Sequence, residues 1–182
     1  MDNDTDQALL ERYRGGDREA FTVLVVRYQR PIYNAAYWIT RRAEDASDIA
    51  QTVFLRVAER LDEYDPRYRF FSWIYRIAVN ESLNLLRRNG REDALDEGVD
   101  IPDVESAGPE SQVGAAEVSK RIQIALMSMP TNDRMVLTLR HFSECSYQEI
   151  AQILELDEKT VKSRLFEARH RLAALLKDLR TH

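Results

Sequence analysis

Apolar residues recur at intervals of three and four along almost the whole of this 182-residue chain. That is the period of a helix face, and no strand-like alternation persists anywhere. The pattern predicts helices near 6–16, 18–40, 44–61 and 72–89. Pro31 should kink or break the second of these, and Pro66 falls in the loop ahead of the fourth. Over residues 91–112, REDALDEGVDIPDVESAGPESQ, the amphipathic pattern stops and Gly98, Pro102, Gly108 and Pro109 interrupt an acidic run. Such a composition reads as a flexible linker. The helical period resumes near Val113 and predicts helices at about 114–129, 132–141, 147–154 and 158–178. Pro130-Thr131 followed by Asn132 and Asp133 reads as a stop-and-cap signal between the first two. The expected fold is therefore all-α, with two small helical domains, 1–90 and 113–182, joined by an acidic linker, 91–112. There is no convincing internal repeat.

Most of the charge imbalance sits in the linker. The chain carries a net charge of −5, which on its own argues against a nucleic-acid partner. Residues 1–90 balance 14 arginines against 14 acids, residues 91–112 set one arginine against 8 acids, and residues 113–182 set 11 basic side chains against 9 acidic ones. The segments flanking the linker are thus free to meet phosphates. A single cysteine, Cys145, excludes an intramolecular disulfide. With only His141, His170 and His182 beside it, the chain has no metal-ligand spacing. The residues Met1 to Gln7 are acidic and polar, unlike a signal peptide. No apolar run approaches the ~18 residues of a membrane span. The expectation is a soluble intracellular protein without metal, cofactor or membrane insertion.

Residues 146–172, SYQEIAQILELDEKTVKSRLFEARHRL, carry the most specific local signal. Ser146 with Glu149 three positions later forms a capping box. Ile150, Ile153 and Leu154 make one apolar face, Ala151 permits close helix approach, and Leu156 plugs a turn. A second helix then buries Val161, Leu165, Ala168 and Leu172. Two short helices so joined are a helix-turn-helix. The outward face of the second offers Lys159, Lys162, Ser163, Phe166, Arg169 and His170, which suit base edges and phosphates in a major groove. The alternative is a solvated helical hairpin with ordinary surface charge. Glu155 stands at a turn position where Gly is commonest, and Asp157, Glu158 and Glu167 would repel phosphate.

Two stretches of the first block stand out. In AEDASDIAQTVFLRVAERL, residues 43–61, Ile49, Val53, Val57 and Leu61 with Ala50, Phe54 and Ala58 form the face expected to be buried. Asp48, Thr52, Leu55 and Glu59 point elsewhere and, with Glu44, Asp45 and Gln51, surround an outward leucine with acid. That row is either a solvated face or a docking site for a basic partner helix. Residues 64–88, YDPRYRFFSWIYRIAVNESLNLLRR, hold six of the 16 aromatics, Tyr64, Tyr68, Phe70, Phe71, Trp73 and Tyr75, interleaved with Arg67, Arg69 and Arg76. Aromatics beside arginines suit single-stranded DNA, where stacking contributes about 1–3 kcal/mol per base. The alternative is that most of these rings are core, the reading preferred for Phe71, Tyr75 and Tyr68.

Taken in order, DIAQTVF, FFSWIYRIAVN with basic NLLRR, a linker, and SYQEIAQIL followed by TVKSRL resemble the extracytoplasmic-function (group IV) sigma factors of bacterial RNA polymerase, over nearly the whole chain. The resemblance implies a first domain like sigma region 2. Its acidic helix would grip the clamp helices of the polymerase β′ subunit through Asp45, Asp48, Gln51 and Leu55, with Thr52 in the same row. Its aromatic stretch would open the minus-ten element through Tyr64, Arg67, Phe70, Trp73, Arg76, Asn80 and Asn84. The second domain would be like region 4, resting on the polymerase β flap. It would read the minus-thirty-five element through Lys162, Ser163 and Phe166, with Ser146, Lys159, Arg164 and Arg169 in the same contact set. Such a protein is no enzyme, works in the bacterial cytoplasm and has core RNA polymerase and promoter DNA as partners.

One departure from the family pattern bears on control. Members usually carry an acid where Thr52 stands and often one where Ser47 stands. Phosphate on a hydroxyl would add about −1.5 to −2 charges, so a Ser/Thr kinase acting at Thr52, or secondarily at Ser47, is one expected route of activation. An anti-sigma factor is the other. Two different classes remain as alternatives. A conventional helix-turn-helix regulator would need neither the aromatic stretch nor Leu55 and would usually dimerise on a palindrome. An enzyme would need a phosphate loop, a metal cluster or a nucleophile–base pair, and the sequence offers no signature of these.

Overall fold

The computed structural model describes residues 5–90 and 113–178, with side chains over 5–90 and 120–177. The linker reading at 91–112 lies outside these residues. Every regular element among the described residues is a helix: α1 Asp6–Arg14, α2 Arg18–Thr40, α3 Ala43–Glu59, a single 3-10 turn Leu61–Glu63, α4 Phe70–Arg88, α5 Val113–Met127, α6 Thr131–His141, α7 Tyr147–Leu154 and α8 Glu158–Asp178. The periodicity located all eight helices to within two residues at most ends.

The caps explain where the elements start. Thr5 accepts the amide of Ala8 at 3.2 Å and starts α1. Asp17 accepts the amides of Glu19 and Ala20 and starts α2, directly after Gly16 turns the chain at φ 97°. α1 is tied down on α2 by Asp6, which takes hydrogen bonds from Arg27 and from the Tyr28 hydroxyl, both at 2.5 Å. α2 is the centre of the first block, packed against α1, α3 and α4. It buries Ala20, Leu24, Tyr28, Ile32, Ala35, Ala36 and Ile39.

Three local expectations need correction. Pro31 does not break α2, which runs unbroken through it. An interior proline costs about 3 kcal/mol in a free helix, and burial of Tyr28, Ile32, Ala35 and Ala36 around it offsets that cost. The start of α6 is not capped by Asn132 or Asp133. Pro130 stands at the cap position without a side-chain bond, and Asp133 instead pairs with Arg171 of α8. Ala58, expected inside with Val57, is exposed, because the buried stripe of α3 is narrow: it runs through Ile49, Val53 and the fully buried Val57, and Ala58 falls beside it.

The second block stacks α6 and α7 on α8, with α5 beside α8. The two blocks also meet. α6 lies against α2, α7 against α4, and the buried residues of both blocks form one continuous apolar cluster. The rings of Trp38 near the end of α2 and Phe142 just past α6 lie 5.4 Å apart, tilted by 32°. The Ser143 hydroxyl donates to the Tyr75 hydroxyl at 3.3 Å.

Candidate nucleic-acid interface

The helix-turn-helix is built as its sequence dictates. Ser146 accepts the amide of Glu149 at 3.1 Å, and Glu149 reaches back to the Ser146 amide at 2.8 Å. Both halves of the capping box are therefore closed. Ile150 and Ile153 are fully buried, and Ala151 nearly so, against Val161, Leu165 and Ala168 of α8. Glu155 takes the left-handed conformation at φ 55°, ψ 45° and turns the chain, with no glycine to relieve it. Asp157 then caps α8, accepting the Thr160 amide and the Thr160 hydroxyl, each at 2.7 Å. Those bonds, the hydroxyl's first, hold its carboxyl below the usual range. Asp157 therefore has a structural task that its charge alone did not reveal.

The outer face of α8 is open. Lys159, Lys162, Ser163, Phe166, Arg169 and His170 are exposed, and Arg164 is half-buried. Phe166 is 64 % exposed on a helix whose other large apolar side chains face inward. Its ring lies 4.2 Å from that of His170. Lys162 is held loosely, 3.7 Å from Glu158 and 5.7 Å from the Tyr147 ring. The Ser163 hydroxyl donates to Thr160 O at 3.0 Å. Arg169 lies 3.4 Å from His141, whose pKa is lowered by burial and by the charges of Arg169 and Arg140. The face is apolar at one point, cationic around it and free of deep ion pairing, the combination a major-groove helix requires.

On α3 the buried stripe is Ala46, Ile49, Val53 and Val57. Leu55 points away and is 64 % exposed. Ser47, Asp48 and Gln51 are exposed around it, while Asp45 and Thr52 are half-buried. The Thr52 hydroxyl donates to Asp48 O at 2.8 Å. Arg42 approaches Asp45 at 3.7 Å. An exposed leucine within a ring of polar and acidic side chains is a small apolar anchor with a charged rim.

The aromatic stretch divides differently from its sequence expectation. Tyr64, Phe70 and Trp73 are buried together, with ring centroids 5.4 to 5.9 Å apart, and Tyr28 joins at 5.6 Å from Phe70. These three rings are core in this arrangement, not an open stacking platform. The Tyr64 hydroxyl donates to Tyr68 O at 2.7 Å, which shapes the loop. Conversely Tyr68, grouped with the core rings, is 49 % exposed. Phe71 and Tyr75 stack on each other at 4.3 Å, with Tyr75 buried as expected and Phe71 half-buried against the core. Arg67 is exposed and folded back on Asp65 at 2.6 Å. Arg76, Asn80, Asn84 and Arg87 do line one exposed stripe of α4.

Sequence reasoning missed the contacts between the blocks. Arg69, at the head of α4, pairs at 2.6 Å with Glu149, the capping-box glutamate of α7. Burial alone would raise the pKa of Glu149, but its two bonds to Ser146 and the charge of Arg69 bring it below the ordinary range. No spacing rule links residues 80 positions apart, so this pair had no signal in the chain.

Comparison with known proteins identifies relatives over most of the chain. The family description Sigma-70 region 2 covers residues 24–92, and Sigma-70, region 4 covers residues 119–172. The chain is 35% identical over 176 residues to the ECF RNA polymerase sigma-E factor of Escherichia coli K12, covering 91% of each chain. It is 32% identical over 190 residues to the RNA polymerase sigma-H factor of Pseudomonas aeruginosa, covering 98% and 97%. Among solved structures it resembles CnrH in complex with the cytosolic domain of CnrY, at TM-score 0.72 and 27% identity over 96% of this chain and 99% of that one. The fold is also that of the sigma factor RpoE in complex with the anti-sigma factor NepR from Bartonella quintana, at TM-score 0.71 and 23% identity, covering 86% and 96%. The chain belongs to the extracytoplasmic-function sigma factors of the sigma-70 family, which direct RNA polymerase to initiate transcription and are not themselves enzymes.

Proposed function

We propose that this sigma factor divides promoter recognition between its two blocks, residues 1–90 and 113–182, and docks on polymerase through α3. The observation that carries the reading is the open face of α8, where the exposed Phe166 sits among Lys162, Ser163 and Arg169. α8 enters the major groove of the minus-thirty-five element. Lys162, Ser163 and Phe166 meet base edges, while Lys159, Arg164, Arg169 and the helix start at Ser146 lie toward phosphates. Melted DNA of the minus-ten element runs along Arg67, Tyr68, Arg76, Asn80 and Asn84, with the buried rings Tyr64, Phe70 and Trp73 shaping the loop beneath it. Asp45, Asp48, Gln51, Thr52 and Leu55 take the β′ clamp helices, and the second block rests on the β flap. The site of action is the bacterial cytoplasm, where polymerase and promoters are.

The test is run-off transcription with core polymerase and a promoter library. Promoter-specific transcripts support the reading. Duplex binding with no transcript from any promoter would return the chain to the class of conventional regulators.

Control has two readings. One sigma factor of the same fold, RpoE of Bartonella quintana, is bound to the anti-sigma factor NepR, which supports such a partner here. Phosphorylation of Thr52, or secondarily Ser47, is favoured by the hydroxyl that replaces an acid within the docking row and by the partial exposure of Thr52. Added negative charge there would strengthen attraction to a basic clamp. Thr52→Ala and Thr52→Asp distinguish the two: if both bind core polymerase like the wild type, phosphorylation has no part in docking.

A further inference from the structure

No role above uses α1, yet it grips the loop ahead of α4 at two points. The helix is seated on its neighbours by the fully buried Leu9 and Leu10, and Arg12 pairs at 2.8 Å with Asp17, the cap of α2. From that base Arg14, in the last turn of α1, reaches a residue 47 positions away, and its Nη2 donates to Leu61 O at 2.9 Å. The same carbonyl accepts the Tyr64 amide at 3.2 Å, the bond that closes the 3-10 turn. Arg14 therefore holds the backbone where the chain leaves that turn and enters the loop 64–69.

The second grip runs through side chains. Asp6, in the first turn of α1, has a side chain only 25% exposed. It accepts the Tyr28 hydroxyl and the Arg27 guanidinium at 2.5 Å each. Bonds to an ionised carboxylate are shorter and stronger than neutral ones, so Asp6 pins the tyrosine firmly. Burial, and then the bond to Asp6, pushes the Tyr28 pKa up, so its hydroxyl keeps its proton and remains a donor. The Tyr28 ring meets Phe70 edge-on at 5.6 Å, Phe70 meets Tyr64 edge-on at 5.6 Å, and the Tyr64 hydroxyl donates to Tyr68 O at 2.7 Å. The contacts that start at Asp6 end beneath Tyr68, the most exposed ring of the aromatic stretch. A loop that had to order itself around a base would lose binding energy to the entropy of ordering. This loop is held at its entry and under its exposed ring before any base arrives.

We propose that Asp6 and Arg14 are positioning residues for promoter opening: α1 presets the loop 64–69, through the Leu61 carbonyl and the Tyr28 ring, so that Tyr68 stacks on a minus-ten base at little ordering cost. This rests on the reading above that melted DNA passes along Tyr68. The test measures affinity of the full chain for a labelled non-template strand from a promoter that it transcribes, with each minus-ten base removed in turn. In the wild type, removal at one position should cost most, and Tyr68→Ala should erase the cost at that position. Arg14→Met and Asp6→Ala should each bind the intact strand at least fivefold more weakly with helix content unchanged. Both should bind the strand lacking that one base as the wild type does, because nothing is left there for the preset loop to hold. Salt dependence gives a second readout. Positioning leaves the slope of log affinity against log salt at its wild-type value, whereas a slope lower by about 0.7 in Arg14→Met would mean that the guanidinium meets a phosphate and would overturn its assignment. If Asp6→Ala loses helix content, Tyr28→Phe, which keeps the ring and removes only the bond to Asp6, takes its place with the same expectation. Variants that bind the intact strand like the wild type, or that weaken on both strands alike, overturn the proposal. If Tyr68→Ala erases the cost of no position, the reading of the loop fails and the proposal falls with it. If Tyr68→Ala behaves as expected while the α1 variants bind like the wild type, only the role of α1 is wrong.

Discussion

α8 and the stretch from Tyr64 to Tyr75 were both expected to touch DNA, and only one presents the expected side chains. Along α8 the inward and outward rows separate cleanly. Val161, Leu165 and Ala168 are buried, and Lys162, Phe166 and Arg169 are exposed. Along the aromatic stretch the rings that looked most like stacking platforms, Tyr64, Phe70 and Trp73, pack on one another. A regular helix assigns faces by period alone, and Phe70 and Trp73 fall with Ile74 on the inward face of α4 as Val161 and Leu165 do on α8. Only in the loop ahead of α4 do turns decide, where the Tyr64 hydroxyl bonding Tyr68 O folds one tyrosine in and leaves the other out.

Substitution should widen this contrast. Trp73→Ala removes a core ring, so it should lower unfolding stability by about 3–5 kcal/mol in denaturant titration. Tyr68→Ala should leave stability within about 0.5 kcal/mol while weakening binding to minus-ten single strand by the ~1–3 kcal/mol of a lost stack. A stable Trp73→Ala that merely loses DNA binding would reverse the assignment. Next in size, Leu55→Asp should reduce affinity for core polymerase at least tenfold in a competition assay, without change in stability. On α8, Lys162→Ala should lower the slope of log affinity against log salt by about 0.9 if the ammonium meets a phosphate. Phe166→Ala should weaken upstream-element binding and leave that slope unchanged. The smallest effect is at the cap. The carboxyl of Asp157 is depressed in the folded chain, so its contribution is fully present above the ordinary Asp range near 3.9 and is lost as pH falls through the depressed value. Asp157→Asn should melt at a lower temperature than wild type at pH 7, and the gap should close in strong acid.

Local rules carried most of the fold. Periods of three and four placed eight helices, and Ser146 with Glu149 placed the start of α7 to the residue. The same reasoning found the exposed Leu55 and the outward row of α8. It failed where one residue answers to partners far along the chain. Pro31 stays helical because tertiary packing outweighs its intrinsic cost, the burial of Arg134 has no local signal, and the pairing of Arg69 with Glu149 has no counterpart in any window of sequence. The acidic character of residues such as Asp157 was legible, but not that one of them is spent on a helix start.

The left-handed Glu155 has a consequence for how this protein can change. At φ 55° any side chain with a Cβ is strained by roughly 1 kcal/mol, so Glu155→Gly is a single step that both steadies the turn and removes a negative charge beside the reading helix. A lineage that needed a hotter habitat, or tighter hold on upstream DNA, has that reserve in one codon. On the role proposed for α8, the present residue leaves a negative charge next to the helix that would meet DNA.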